Sequence, residues 1–326
     1  MPSTRTSSEV NTKACSSGYK PIEQTNQLPS NPVNSKIALA IALFVGATPV
    51  LANDPFVTNV RWIALPVEKQ QIVNQGKSNK ACGYASILNS LFFGNSANRK
   101  VFQSLPGNTN ADRIKYLEDT YGSKPSKDHG NGLRNREHGV TPNDICDIYN
   151  EIRKEHGLPP LTSSYLNRRT NETEQQLLTR VHGLLLDSLK SQEPPILSVR
   201  SAVADWCPTI WYLLDAITGQ NPMRNQCGWQ RLTGHFITVV GVPEKTNEDG
   251  SFCVDYLDPR DGRERQLFVY SDVRNFAAWK GASEVKEFVR DRPFPAIASG
   301  SIYLSTQDQV WSARTEVYLD HVIYKE

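Results

Sequence analysis

Apolar positions along this chain fall into periodic blocks separated by polar stretches. In Ala81-Cys82-Gly83-Tyr84-Ala85-Ser86-Ile87-Leu88-Asn89-Ser90-Leu91-Phe92-Phe93, residues Tyr84, Ile87, Leu88, Leu91 and Phe92 recur at helical spacing. They predict one apolar helical face, with Gly94-Asn95 as its stop. Further helices are expected from Ala111 to Thr120, after Thr141-Pro142 (with Ile145, Ile148, Tyr149 and Ile152 as the apolar face), and from the Asn171–Glu174 start to about Lys190. Trp62–Leu65 and Ile196–Val199 read as short strands next to prolines. Gly234–Val242 and Phe252–Leu257 are rich in β-branched and apolar residues and read as a hairpin. Gly122 to Gly139 is polar and reads as a solvated loop, with His129 and His138 at the surface.

Two of these elements carry candidate chemistry. Cys82 falls in the first turn of its helix, where free backbone N–H groups and the positive end of the helix dipole favour a thiolate. The alternative is a small buried side chain with no reactivity. In the hairpin, a loop centred between Thr246 and Asn247 sets Val242 opposite Ser251 and His235 opposite Asp258. Imidazole and carboxylate then form a cross-strand pair at the open end. A slip of one residue would send them to opposite faces. A thiol at a helix start, followed by a histidine and an aspartate, is the order of parts that thiol acyl transfer requires.

Composition narrows the field only a little. The 326 residues suit one large domain or two small ones, and a net charge of +2 gives no sign of a nucleic-acid partner. Residues 1–36 are polar and read as disordered. The apolar run from Ile37 to Ala47 is shorter than the roughly 20 residues of a membrane span, and Val50-Leu51-Ala52 follows it as a small-residue cleavage site. Residues 1–52 are therefore expected to be a leader with an export signal, and 53–326 a secreted or periplasmic domain with no stable membrane association. A buried helix and an uncleaved anchor over residues 37–51 are the other readings. Removing the leader leaves Cys82, Cys146, Cys207, Cys227 and Cys253, an odd number. Cys207 and Cys227 bracket the Trp-rich stretch 201–231, which reads as an insertion stapled at its base. A bridge between them should stabilise the fold by roughly 3 kcal/mol. The aromatic stretch is either a satellite cluster or one wall of a cleft.

The Ala81–Ser86 start, the Gly234-His235-Phe236-Ile237-Thr238-Val239-Val240-Gly241 strand and the Leu257-Asp258-Pro259 turn resemble the papain-like cysteine peptidases. The nearest branch is the bacteriocin-leader-processing type, with its Cys-Gly-x-Ala, Gly-His and Asp-Pro motifs. The resemblance spans roughly residues 70–270. It implies an α+β, papain-like fold, in which a helical half carrying the nucleophile helix packs on an antiparallel β-sheet. It implies a Cys82–His235–Asp258 triad cleaving peptide or isopeptide bonds, with a peptide or protein substrate, a monomeric enzyme, and no metal or cofactor. That family's oxyanion glutamine stands six residues before the cysteine, where this chain has Gly76. The role passes to Gln75, with Asn79 as the competing donor. A transglutaminase-like acyl transferase shares the Cys, His, Asp order, but Gly83 stands where it carries an aromatic residue. A member of the fold that only binds is the non-enzymatic alternative.

Sequencing the amino terminus of protein recovered from its native compartment should find a start near Asn53. An intact Met1 rejects the export signal.

Overall fold

The computed structural model describes residues 60–76, 80–130, 132–135, 139–206, 228–272, 294–298 and 315–326. The export signal expected within residues 1–52, and the expected bridge between Cys207 and Cys227, lie outside these residues. Among the described residues, no helix is long and apolar enough to cross a membrane.

The fold is α+β, with helices beside an antiparallel sheet. Among the described residues the α-helices are α1 (Cys82–Phe93), α2 (Ser96–Ser104), α3 (Asn110–Leu117), α4 (Pro142–Glu155) and α5 (Glu174–Lys190). The strands are β1 (Trp62–Ala64), β2 (Thr162–Tyr165), β3 (Ile196–Trp206), β4 (Gly228–Pro243), β5 (Phe252–Asp258), β6 (Arg263–Asp272), β7 (Phe294–Ala298) and β8 (Thr315–Tyr324). Strands β3 to β8 pair in a closed circuit, in the order β4, β3, β8, β7, β6, β5 and back to β4. On β4, β1 takes the edge that β3 leaves after Thr238. On the other side of the circuit, β2 adds to β8.

Side-chain alternation along the strands sends neighbouring residues into different cores. Ile196, Phe236 and Ile323 join α1 and α4 in one. Their neighbours Leu197, Ile237 and Val322 join the apolar stripe of α5 in the other. The helix starts follow local chemistry. Thr141 caps α4 by accepting the Asp144 N–H at 3.1 Å, with Pro142 in the first position. Thr173 and Gln176 cap α5 reciprocally, at 3.1 and 2.8 Å.

Several expectations change. Asn95 is not only a stop: its side chain accepts the N–H groups of Ala97 and Asn98 and starts α2, an unexpected helix. Thr109 and Asp112 form an overlooked capping box, so α3 begins at Asn110 and gives way to a π turn at Glu118–Gly122. The stretch 122–139 is less solvated than its composition suggests. Ser126 donates to Asp144 at 2.8 Å, and the buried Arg134 pairs with Glu151 at 2.7 Å. His129 is exposed as expected, and His138 lies outside the described residues. Residues 201–206 and 228–231 are paired strand, with Ala204 opposite Trp229. The core of that stretch, 207–227, lies outside the described residues.

Helix α1 is buried on every side, with Phe92 its only incompletely buried residue. At its start Gly83 lies against α4 and β4. A Cβ there would stand 2.4 Å from Ile145 Cδ1, 2.9 Å from its Cγ1 and 3.4 Å from Phe236 Cδ2. Ile145 is itself fully buried, so it has no open space to move into. Gly83→Ala should therefore lower stability by roughly 1–3 kcal/mol, as overpacking does. Urea denaturation of the two proteins checks this.

Candidate active site

Cys82 is the first residue of α1, and its cap, Ala81, makes no side-chain bond to the helix. The first-turn N–H groups are thus not taken by a capping side chain, and they face the sulfur's end of the helix. The backbone N–H groups of Gly83 and of Phe236, the latter from β4, favour the thiolate form of Cys82, as does the His235 side chain. On its other side, His235 Nε2 donates to Asp258 Oδ1 at 2.8 Å, which leaves Nδ1 for the sulfur. Asp258 Oδ1 also accepts the Arg260 N–H at 2.9 Å, and its Oδ2 stands 3.6 Å from Arg265 Nε. All three predicted residues are brought together and all are buried.

The hairpin register that achieves this differs from the expected one. Thr238 faces Leu257 and Val239 faces Tyr256, so Asp258 continues level with Ile237, two positions past His235. The pair is a diagonal neighbour on one face rather than a direct opposition. Nearer the loop, Gly241 faces Asp255, so one residue is inserted between Val239 and Gly241. This bulge matters, because strand pairing alternates faces with a period of two. Carried through without the bulge, the loop-side register would place His235 and Asp258 on opposite faces. The carbonyl of Val240, the inserted residue, accepts the Leu65 N–H at 2.8 Å, just past β1. Gly241 is hemmed in as well, with a Cβ there standing 3.1 Å from Asp255 Oδ2 and 3.3 Å from the Ala64 Cβ.

The electrostatics follow from burial and partners. Burial pushes the Cys82 thiol up. The His235 hydrogen bond and charge, with the two backbone N–H groups, overcome this and leave it below the ordinary thiol value. Burial disfavours the His235 charge, but Asp258 and Cys82 together raise it to about 9. Asp258 is held below the usual carboxylate range by His235 and Arg260 despite its burial. These neighbours therefore favour a thiolate beside an imidazolium, oriented by a carboxylate. Such a group can attack an electrophilic carbonyl and then deliver a proton to the leaving group.

Gln75 lies next to the triad turn. Its N–H donates to the Pro259 carbonyl at 2.6 Å, and its side-chain Oε1 is buried without a hydrogen-bond partner. Asn79, the competing donor, lies outside the described residues. The Gly83 N–H is one of the first-turn donors expected at this helix start, whereas the Phe236 N–H and the neighbouring Arg265 come from other elements and have no local signal. His182 of α5 is buried. Its Nε2 stands 2.7 Å from the Pro243 carbonyl, and its ring meets Phe252 edge-on, away from the triad strands' open end. Cys146 is a buried free thiol pushed up to about 11 by burial. Cys253 is disulfide-bonded, so a β5 residue takes part in a bridge that the expected Cys207–Cys227 pairing did not include. No protein-family model matches the chain, and no curated protein matches it.

Alkylation of Cys82 by iodoacetamide should persist well below the ordinary thiol range. The thiolate fraction falls only as pH drops through the lowered Cys82 value. His235→Ala removes the imidazolium and leaves the burial effect, so the half-maximal pH of alkylation should move upward. An unchanged pH profile in that variant contradicts the ion pair.

Proposed function

We propose that this chain is a papain-like thiol hydrolase that cleaves peptide or isopeptide bonds through an acyl-enzyme. The observation that carries the reading is the buried Cys82–His235–Asp258 constellation. Its sulfur sits at a helix start, and its imidazole is held between thiol and carboxylate. An α+β arrangement with the thiol on a buried helix and the other two groups on an antiparallel sheet supports the papain-like assignment.

The steps follow from these groups. Cys82 Sγ attacks the carbonyl carbon, and the carbonyl electron pair moves onto oxygen. Donors aimed at that oxygen stabilise it, each contributing roughly 3–4 kcal/mol. The Gln75 side-chain amide is the donor we assign. His235 gives its proton to the departing amine as the C–N bond breaks, leaving a thioester. It then takes a proton from water, whose oxygen attacks the thioester, and the C–S bond breaks to release the acid and restore the Cys82 thiolate beside the imidazolium. Asp258 keeps the ring oriented and stabilises the imidazolium. A disulfide at Cys253 fits an oxidising compartment and so supports an exported enzyme.

Incubating the purified chain with a diverse peptide library, with and without an amine acceptor, tests the reading and separates hydrolysis from transfer. Cys82→Ala and His235→Ala should abolish turnover while the fold persists. For kcat/KM the wild type should show an alkaline limb near 9, where His235 loses its proton. Asp258→Asn removes the carboxylate that raises His235, so that limb should move to lower pH. Full turnover in Cys82→Ala sinks the proposal.

A further inference from the structure

The segment just before α1 is clamped from two directions. The Asn89 side chain accepts the Val73 N–H at 2.8 Å and donates to the Val73 carbonyl at 3.0 Å. Asn89 is fully buried and lies seven positions after Cys82, on the same face of the same helix. Two residues beyond Val73, the Gln75 N–H is bonded to Pro259, the neighbour of Asp258. Between these anchors the Asn74 Cβ packs beside Gly262 of the same turn, where an added Cβ would stand 3.2 Å away. The Asn74 side chain accepts the Gly76 N–H at 3.0 Å, and the backbone turns there at φ 65°. Gln75 is thus suspended between the helix that carries the thiol and the turn that carries the carboxylate.

We infer that Asn89 is a positioning residue for this site. By holding Val73 against α1 it sets where the Gln75 side chain stands relative to the Cys82 sulfur. The inference rests on the reading of Cys82 as an acyl nucleophile. The amide side chain bonds both polar groups of Val73 at once, which a carboxylate, with no donor, and an aliphatic chain, with neither group, cannot do. Asn89 touches no reacting atom, so its effect is confined to steps that need the oxyanion donor. Thiolate formation depends on His235, the helix start and the Phe236 N–H, and stays as it is.

The test uses the full chain and the library peptide that the wild type cleaves fastest. Asn89→Leu and the milder Asn89→Ser should lower kcat roughly ten- to a hundredfold with KM little changed, as small misplacements of a catalytic group do. The rate and pH profile of Cys82 alkylation by iodoacetamide should stay at wild-type values in both. In a Gln75→Ala background the same substitutions should cost little more, because the donor they position is gone. Losses that add in full, or alkylation that falls along with kcat, overturn the positioning role. If Asn89→Leu does not fold, Asn89→Ser and its cycle with Gln75→Ala decide the matter. Turnover that survives Cys82→Ala overturns the nucleophile reading as well, whereas Cys82-dependent turnover with additive losses overturns the positioning role alone.

Discussion

Complete burial of α1 is the constraint on which the rest of the structure depends. A helix with solvent on one side can leave its polar side chains to water, but this one cannot. Ser90 therefore donates to the Pro194 carbonyl at 2.6 Å and meets Tyr149 Oη at 3.0 Å, and Asn89 holds Val73. Thr238 of β4 donates to the Ser86 carbonyl at 3.1 Å. Each bond ties a different segment to the helix: the approach to β3, the strap before α1, and the strand that carries His235. An unmade bond inside the protein costs about 1–3 kcal/mol, so these contacts specify the arrangement more than they add to it. The same burial makes the charged form of Cys82 depend on its neighbours, since desolvation disfavours a thiolate there.

The β4–β5 bulge is the second requirement, and it acts through parity. A strand offers its side chains to alternate faces, so the partners at the hairpin's open end are decided by every residue between them and the loop. One inserted residue at Val240 changes which face Asp258 shares with His235. That residue is held by β1, a strand of three residues with no chemistry of its own. A short edge strand far from the thiol thus helps to decide whether the triad can exist.

Much of the site was legible before the fold was. Cys82 stood out because helix spacing is a local pattern, and the Gly234–Val242 and Phe252–Leu257 strands because β-branched runs are local too. The Thr141 and Thr173 caps were read from three or four residues each. Other features depend on more than a local pattern. Gly94-Asn95 reads as a stop, and the Asn95 side chain also opens the next helix. Ser126 and Arg134 looked solvated because the acidic groups they meet, Asp144 and Glu151, come from α4. Strands β6 to β8 were not anticipated, because their partners are set by sheet closure rather than by any hairpin signal.

By itself the sequence determined the local choices: which stretches are helix or strand, where Thr141 and Thr173 begin their helices, and the order of cysteine, histidine and aspartate. These depend on propensity, periodicity and capping, which act within a few residues. Tertiary structure alone decided the register of β4 on β5, the burial of the polar side of α1, and the bonding of Gln75 to Pro259. It also decided the ionisation of Cys82 and His235. Those properties arise from groups far apart in the chain that are excluded from water together, and no pattern within one segment records which groups they will be.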